Sequence, residues 1–411
     1  MENFDIGIIG AGPAGYTAAF QARKLGKSVV LFEKDFVGGV CLNRGCIPTK
    51  TILHSAELFE EMKSSEELGL VVSDISVDFA KVIERKNKVV EKLRKGLELG
   101  LKSAKVTVVN EFAEIVDAKT IKAGGNIYSC SEIICAIGSE PAIPPCFKFD
   151  GEFVLSSDDI LNLKTLPKSV VIAGSGAIGC EWARIFAAFG VEVVVVELAE
   201  HLLPLADIEV SKRVERIFKS KKIKFYTKTS VEKIEDGSVT LSNGEVLNPD
   251  FILMATGRKP RKHEKIEGIR YIGDVTGSIQ LAHFAIKEAF EHIAEINFEK
   301  DLVPSVIYGC PEIAWVGKRE QDLEVGSFEK STHLISVLGK SHCDNCTEGF
   351  IKILSQGGFI VGAHIVSKEA SSLIQQLTIA IQNKIPVEKL KEVCFAHPTY
   401  SEGIFDCICN L

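Results

Sequence analysis

Two stretches of the chain show the same order of apolar and polar positions. Residues 4–9 form a short apolar run that ends at a glycine-rich turn, and a helical pattern follows through Leu25. Residues 170–173 begin a second copy, with a helical pattern through Phe189 and an apolar run over 191–196. Short apolar runs before amphipathic periods predict buried strands followed by helices. The chain therefore contains an internal repeat of a strand, turn and helix unit.

Each predicted turn has the spacing Gly-x-Gly-x-x-Gly, and each unit ends at a glutamate after its next strand. The first set is Gly10, Gly12, Gly15 and Glu33, and the second is Gly174, Gly176, Gly179 and Glu197. Such glycines let the backbone approach a pyrophosphate at a helix N-terminus, and the carboxylate can accept hydrogen bonds from a ribose diol. The sequence therefore predicts two dinucleotide sites. Because Glu197 would repel a 2′-phosphate, the second should take NAD rather than NADP.

The rest of the pattern adds elements around these units. Helices are expected over 51–66 and 79–102, with short alternating strands at 106–109, 113–116 and 120–121. A mixed region begins near Val303, with strands near 350–354 and 359–366 and helices near 370–382 and 387–394. This alternation predicts an α/β protein, and 411 residues are enough for two or three domains.

Composition narrows the function classes. The net charge of −7 gives no basic surface for nucleic acid or for an anionic membrane, so neither partner is expected. The most apolar stretches are interrupted, for example by Glu192, and are too short to cross a bilayer. No signal peptide precedes the first strand, so a cytoplasmic location is expected. Most of the twelve cysteines should then be reduced and buried.

Cys41 and Cys46 are the two cysteines whose spacing and neighbours suggest redox chemistry. Residues five apart on an ideal helix have Cα atoms roughly 8.7 Å apart, beyond the ~7 Å that a disulfide spans. The pair can bond only where the backbone is distorted, and Gly45 and Pro48 permit that distortion. A disulfide in this frame should be strained and reducible. Two unpaired thiols remain an alternative, and a zinc site is disfavoured because zinc cysteines usually come at shorter spacing in matched pairs.

The stretch 38–50 carries a family resemblance. It reads Gly-Gly-Val-Cys-Leu-Asn-Arg-Gly-Cys-Ile-Pro-Thr-Lys. This resembles the redox-disulfide signature of the flavin-dependent pyridine nucleotide-disulfide oxidoreductases, and is most similar to the branch that oxidises dihydrolipoamide. The further matching segments are Ala136-Ile137-Gly138, Ala255-Thr256-Gly257, Ile272-Gly273-Asp274 and Ala396-His397-Pro398-Thr399-Tyr400-Ser401-Glu402. Ile137 replaces the threonine that is usual in the family. The resemblance covers essentially the whole chain.

The resemblance implies two Rossmann-like dinucleotide-binding domains, for FAD and NAD, and a C-terminal α+β dimerisation domain. The implied divisions are 1–145 for the first part of the FAD domain, 146–262 for the NAD domain, 263–298 for the return to the FAD domain, and 299–411 for the interface. FAD would be held by Gly10, Gly12, Gly15, Glu33, Lys50, Gly138 and Asp274. NAD would be held by Gly174, Gly176, Gly179, Glu197 and Gly257.

The resemblance also implies catalytic roles. Cys41 would exchange with the substrate, Cys46 would face the flavin, and the two would form the redox disulfide. Lys50 and Glu181 would pair near the flavin and the nicotinamide. His397 would be the base, oriented by Glu402, and would reach the disulfide of the opposite subunit in a homodimer. The implied protein partner is the lipoyl domain of a 2-oxo acid dehydrogenase or a glycine cleavage complex.

Two alternatives remain open at this point. One is a related disulfide reductase with another substrate, or one that passes electrons to the terminal dithiol Cys407 and Cys409. The other is a redox sensor or inactive paralogue, suggested by Ile137 and by the link over 260–271, which is shorter than in relatives. The sequence favours reading Cys343 with Cys346, and the terminal pair, as incidental.

Overall fold

The first glycine motif opens a seven-stranded sheet. The computed structural model describes residues 2–145 and 147–411, so residues 1 and 146, which begin the first two predicted segments, lie outside the described residues. The first elements are β1 (Glu2–Ile9), α1 (Pro13–Lys24), β2 (Val29–Phe32), α2 (Gly39–Arg44), α3 (Cys46–Lys63), α4 (Phe79–Ser103), β3 (Thr107–Val109), β4 (Ala113–Asp117), β5 (Thr120–Ala123), β6 (Asn126–Cys135) and β7 (Ser139–Pro141). Strand order is β3-β2-β1-β6-β5-β4, with β1 parallel to both neighbours and β4 to β6 antiparallel.

The second glycine motif opens a second parallel sheet. The elements of this part of the chain are β8 (Val154–Leu155), β9 (Ser169–Ala173), α5 (Ala177–Ala188), β10 (Glu192–Val196), α6 (Ile208–Ser220), β11 (Lys224–Tyr226), β12 (Val231–Glu235), β13 (Ser238–Leu241), β14 (Val246–Leu247), β15 (Phe251–Met254) and β16 (Arg258–Pro260). The sheet has the order β11-β10-β9-β15-β8, and β12 to β14 form a separate antiparallel sheet that the sequence reading did not predict. All four residues of β15 are buried, as expected for a strand covered on both faces.

The short link after β16 leads back to the first sheet. The next elements are β17 (Arg270–Tyr271) and α7 (Ala282–Ala294). Arg270 and Tyr271 pair in parallel with the end of β6. The Tyr271 hydroxyl accepts a hydrogen bond from the Ile266 amide at 3.0 Å, and the His263 ring lies 4.7 Å from the Tyr271 ring. These contacts tie the short link over 260–271 directly to β17.

The C-terminal region forms a five-stranded antiparallel sheet covered by helices. Its elements are β18 (Ser305–Ile307), β19 (Glu312–Gly317), β20 (Glu329–Leu334), α8 (Gly339–Cys343), β21 (Phe350–Gln356), β22 (Phe359–Ser367), α9 (Ala370–Gln382), α10 (Val387–Leu390) and α11 (Glu402–Cys409). Strand order is β18-β19-β22-β21-β20. The predicted α/β class, with two Rossmann-like units and a C-terminal α+β unit, is confirmed. The last helix before the histidine segment is shorter than expected, because it ends at Leu390.

A buried ion pair fixes the C-terminal sheet against the second parallel sheet. Lys352 of β21 lies 2.9 Å from the Asp207 carboxylate at the start of α6, and neither side chain is exposed. Glu209 and Glu320 also contact the ammonium group of Lys352. A buried cation needs such partners, because it has lost its hydration by water. The network therefore holds β21 in a defined position relative to the nucleotide-binding unit.

Candidate active site

The two glycine turns have the same backbone geometry. Gly10 and Gly174 have φ of +99° and +103°, in the left-handed region that favours glycine. A Cβ on Gly15 or Gly179 would overlap the carbonyl oxygen of Gly10 or Gly174, respectively. Each motif therefore needs its first glycine for the turn and its third for the close approach of helix and strand.

The middle glycines leave space for a ligand. An added Cβ on Gly12 would have Gly39 Cα at 3.8 Å as its nearest neighbour, and at Gly176 no protein atom lies within 4 Å. Neither α1 nor α5 has a side-chain cap at its N-terminus. Free first-turn N–H groups beside open space form an anion-binding site, so both turns fit a pyrophosphate.

The two motif glutamates are held in matching positions. Glu33 accepts hydrogen bonds from the Ala11 amide at 2.9 Å and the Asp35 amide at 3.0 Å. Glu197 accepts from the Ser175 amide at 2.8 Å and, at its other oxygen, from the Ala199 amide at 2.8 Å. The Ser175 hydroxyl donates a further bond of 2.6 Å. Each carboxylate is therefore fixed beside its glycine turn, where a ribose would follow a pyrophosphate.

A continuous cleft of about 1740 Å³ connects most of the predicted flavin residues. This volume exceeds the roughly 300–1,000 Å³ of pockets for drug-sized molecules, so an extended dinucleotide fits. The predicted site residues that line it are Gly10, Gly12, Glu33, Cys41, Cys46, Lys50, Gly138, Glu181 and Asp274. Those outside its lining are Gly15, Gly174, Gly176, Gly179, Glu197, Gly257, His397 and Glu402. The second glycine motif reaches the cleft only through the first turns of α5.

The two cysteines lie on different helices. Cys41 is in α2, and Cys46 is the first residue of α3. The helices break at Gly45, where an added Cβ would lie only 3.1 Å from the Val40 carbonyl oxygen. Pro48 falls in the first turn of α3, where its missing N–H has no intrahelical partner to lose. The helix break supplies the backbone distortion that the cysteine spacing requires, and both cysteines are in the reduced form in this structure.

The pair is electrostatically asymmetric. A hydrogen bond from the Cys41 thiol lowers the pKa of Cys46 to about 7. Burial raises this pKa, and the Lys50 cation offsets part of that increase. The same hydrogen bond, together with burial, raises the pKa of Cys41. Near neutral pH the reduced pair therefore carries its negative charge on Cys46, and a thiolate is the reactive form of cysteine.

Lys50 and Glu181 form an ion pair beside the cysteines. The Lys50 ammonium group lies 2.8 Å from both carboxylate oxygens, and the Glu181 side chain is 5% exposed. The Tyr308 amide donates to the same carboxylate at 3.1 Å, and the Tyr308 ring lies 4.7 Å from the Lys50 nitrogen. Burial is the largest single effect and lowers the pKa of Lys50, but the charge and hydrogen bonds of Glu181, with smaller contributions from Cys46 and Tyr308, together raise this pKa overall. Tyr308 was not predicted as a site residue, and its position after an apolar strand gave no signal for it.

A second polar cluster joins the segments around the cleft. The buried Ser139 hydroxyl donates to the Asp274 carboxylate at 2.6 Å, and Arg258 donates to Ser139 at 2.9 Å. Ser139 and Arg258 were missed because single polar residues that begin short strands carry no distinct sequence signal. Ile137 packs against a buried apolar cluster that includes Ile133 and Cys135, so its surroundings suit an aliphatic residue.

His397 and Glu402 form a hydrogen-bonded pair away from the cleft. His397 Nδ1 lies 2.7 Å from Glu402 Oε1, and the Thr399 amide donates to the other oxygen at 2.9 Å. The hydrogen bond to His397, followed by that from Thr399, lowers the pKa of Glu402. The His397 side chain is 77% exposed, so its other nitrogen is free to meet a group from outside the chain.

Residues 2–145 and 147–411 contain neither a metal-binding cluster nor a membrane-spanning helix. Across these ranges, no cluster of three or more His, Cys, Asp or Glu side chains is placed to hold a metal ion. Over the same ranges, no helix has both the length and the apolar character needed to cross a bilayer.

Comparison with known proteins identifies relatives along the whole chain. Residues 4–270 match the family described as pyridine nucleotide-disulphide oxidoreductase, and residues 303–406 match the dimerisation domain of that family. Dihydrolipoyl dehydrogenase of Chlamydia pneumoniae is 34% identical, with 98% of this chain and 95% of that protein covered. Dihydrolipoyl dehydrogenase of Bacillus subtilis is 31% identical, with 98% and 97% covered.

Solved structures show the same fold. The flavoprotein disulfide reductase RclA of Escherichia coli, solved as a Cu(II) complex, superposes with a TM-score of 0.88 at 26% identity, and 100% of both chains is covered. LpdA of Mycobacterium tuberculosis superposes with a TM-score of 0.90 at 24% identity, covering 100% of this chain and 99% of that one.

Proposed function

We propose that this chain, which belongs to the pyridine nucleotide-disulphide oxidoreductase family, oxidises protein-bound dihydrolipoamide to lipoamide and reduces NAD. One observation carries the proposal. The Cys46 thiol, with its pKa lowered to about 7, lies beside Cys41 and Lys50 on the wall of a cleft large enough for a dinucleotide. The names of the relatives that match over nearly the full chain support dihydrolipoamide as the substrate.

The thiol chemistry follows from the asymmetry of the pair. In the oxidised enzyme, one substrate thiolate attacks the Cys41 sulfur, and Cys46 leaves as a thiolate. The second substrate thiolate then attacks the substrate sulfur of the mixed disulfide, and Cys41 leaves. Two electrons have then passed from the substrate to the cysteines, and of the two substrate protons one ends on Cys41 and the other on the base. A thiol of low pKa is the better leaving group, which suits Cys46 to the first step.

FAD and NAD are the cofactors of this family. FAD, when bound, supplies two-electron transfer between the cysteine pair and NAD. The segments 1–145 and 263–298 would hold FAD through the first glycine turn, Glu33, Gly138 and Asp274. The segment 146–262 would hold NAD through Gly174, Gly176, Gly179, Glu197 and Gly257. The Lys50 cation, kept protonated by Glu181, would stabilise negative charge that develops beside it.

The base is expected to come from a second copy of the chain. The dimerisation-domain match over 303–406 supports a homodimer. His397 lies in this segment and outside the cleft of its own chain, so it would serve the Cys41 of its partner. A lipoyl domain of a 2-oxo acid dehydrogenase or glycine cleavage complex would be the second protein partner.

Steady-state kinetics with separate thiol substrates test the proposal. The purified holoenzyme should reduce NAD with dihydrolipoamide far more efficiently than with reduced glutathione or reduced thioredoxin. Cys41→Ser should lose this activity, whereas Cys409→Ser, at an exposed cysteine, should keep it. A preference for glutathione or thioredoxin would assign the chain to a related disulfide reductase instead. Loss of activity in Cys409→Ser would implicate the terminal dithiol.

A further inference from the structure

A second pair of thiols lies outside the proposed active site. The Cys310 and Cys346 sulfur atoms are 3.5 Å apart, although 36 positions separate the residues. Cys310 lies between β18 and β19, and Cys346 lies in the turn after α8. The sequence suggested Cys343 as the neighbour of Cys346, but the fold brings Cys310 to it instead. We infer that Cys310 and Cys346 form a second redox dithiol, which a hydroperoxide oxidises to an intramolecular disulfide.

The pair is distinct from Cys41 and Cys46. Cys310 does not line the large cleft, and instead borders a small cavity with Leu53 and Glu60 of α3. These α3 residues are 7 and 14 positions after Cys46, which corresponds to about 10–21 Å along the helix axis. The second dithiol therefore cannot be an alternative partner for the active-site thiols in this fold.

The backbone on both sides of the second dithiol is anchored. The carbonyl oxygen of Pro311 accepts a hydrogen bond from the buried Arg184 at 2.6 Å. The Cys346 amide donates to the Ser341 carbonyl oxygen at 2.8 Å, and the Asn345 side chain donates to Glu67 at 2.8 Å. These bonds hold the two sulfur atoms in contact, so a disulfide requires only a short movement of the side chains.

The charges around the dithiol favour a thiolate at Cys346. The Cys310 thiol lowers the pKa of Cys346 to about 7, and Lys368 adds to this effect. The same contact, with burial, raises the pKa of Cys310. The charged groups acting on the pair are Lys368, Glu61 and Asp344 at Cys346, and Glu57 and Lys221 at Cys310. Cys346 is therefore the thiol that attacks, and Cys310 is the one that resolves.

The oxidation balances with hydrogen peroxide as the oxidant. The Cys346 thiolate attacks one peroxide oxygen, the O–O bond breaks, and the released hydroxide takes a proton to become water. Cys310 then attacks the Cys346 sulfenic acid, an S–S bond forms, and a second water leaves with the Cys310 proton. The dithiol loses two electrons and two protons, and the peroxide becomes two waters.

Peptide mapping tests the inference directly on the holoenzyme. After reduction and removal of reductant, the protein is treated with increasing hydrogen peroxide, alkylated and digested with trypsin. Peptide 301–318 contains Cys310 alone, and peptide 341–352 contains Cys343 and Cys346. We expect these two peptides to be joined, with a mass two hydrogens below their sum, and to separate with dithiothreitol. Fragmentation should place the link at Cys346.

Matched variants and pH complete the test. Cys343→Ser, at an exposed neighbour, should keep the link, and Cys346→Ser should lose it. The rate of oxidation should rise about tenfold from pH 6 to pH 8, as expected for a thiol with a pKa of about 7, whereas an ordinary thiol near 9 would give about ninetyfold. Complete alkylation of Cys310 and Cys346 at peroxide levels that join peptide 35–44 to peptide 45–50 would overturn the inference. A link through Cys343 would also overturn it.

Discussion

The two charges of the Lys50–Glu181 ion pair should shift the pKa of Cys46 in opposite directions. Lys50 is four positions after Cys46 on α3, so the two residues are neighbours on one helix face, about 5–6 Å apart at Cβ. At an effective dielectric constant near 20, a unit charge about 5.5 Å away contributes about 3 kcal/mol, or about two pKa units. Because the Lys50 side chain is 31% exposed and solvent screens its charge, about half of this is expected to reach the thiol.

Two substitutions separate the charges. Lys50→Met removes the cation and should raise the pKa of Cys46 by about one unit, to about 8. At pH 7 the thiolate fraction of Cys46 would then fall from about one half to about one in eleven. Glu181→Gln removes a charge that raises the pKa of Cys46, so the pKa should fall below 7. Glutamine keeps an acceptor for the Tyr308 amide, so the local structure should be retained.

The measurement is the pH profile of alkylation, resolved by peptide. Reduced enzyme is pulsed with iodoacetamide between pH 5 and pH 10, and the peptide from Gly45 onwards reports Cys46 separately from Cys41. Lys63→Met is the matched control, because Lys63 ends the same helix and donates to the Ala188 carbonyl oxygen, about 25 Å along the axis from Cys46. Its midpoint should equal that of the wild type. Equal midpoints for wild type and Lys50→Met, or shifts of the same sign in both active-site variants, would refute the electrostatic argument.

Three further predictions follow from the cofactor sites and the dimer. Glu197→Ala should reduce the preference for NAD over NADP, since each lost hydrogen bond to a charged group costs on the order of 1.5–3 kcal/mol; kcat/KM with both cofactors measures it, and an unchanged ratio would remove the assignment. Gly15→Ala should abolish FAD binding, because its Cβ would overlap the Gly10 carbonyl oxygen, whereas Gly26→Ala meets no atom within 4 Å and should retain the yellow colour despite some strain. Refolding His397→Ala and Cys41→Ser homodimers together should restore at most about a quarter of wild-type activity, although both parents should be nearly inactive and loss of the base alone should cost about 10²- to 10⁴-fold; a mixture as inactive as its parents, while refolded wild type recovers, would exclude a shared site.

Local patterns predicted the nucleotide-binding units because each signal was confined to a few consecutive residues. A buried strand, a glycine turn and an acidic strand end are all specified within one unit, and the matching contacts of Glu33 and Glu197 repeat in the structure. The cysteine break was also foreseeable, since glycine and proline act on their own neighbours.

Contacts between distant segments were not predictable from these patterns. Tyr308 meets Lys50 and Glu181 only after the third region has packed against the other two, and its sequence neighbours specify a strand alone. Cys310 and Cys346 were not connected for the same reason, because the nearer Cys343 offered a local pairing that the fold does not use. Helix α3 extends to Cys46, earlier than expected, because a proline in the first turn does not interrupt a helix.

The His397 pair bears on how a second chain would complete the site. Glu402 is fixed by the Thr399 amide and by its place at the start of α11, and it holds His397 Nδ1 within a single chain. The imidazole is therefore oriented before any partner contributes to it. Ordering a side chain costs about 0.5–1.5 kcal/mol on association, and that cost is already met here. Dimerisation would then need to supply only proximity between His397 and the partner's cysteines. Substitution of Glu402 should therefore impair catalysis while the dimer stays intact, whereas substitutions in the interface should impair dimerisation and catalysis together.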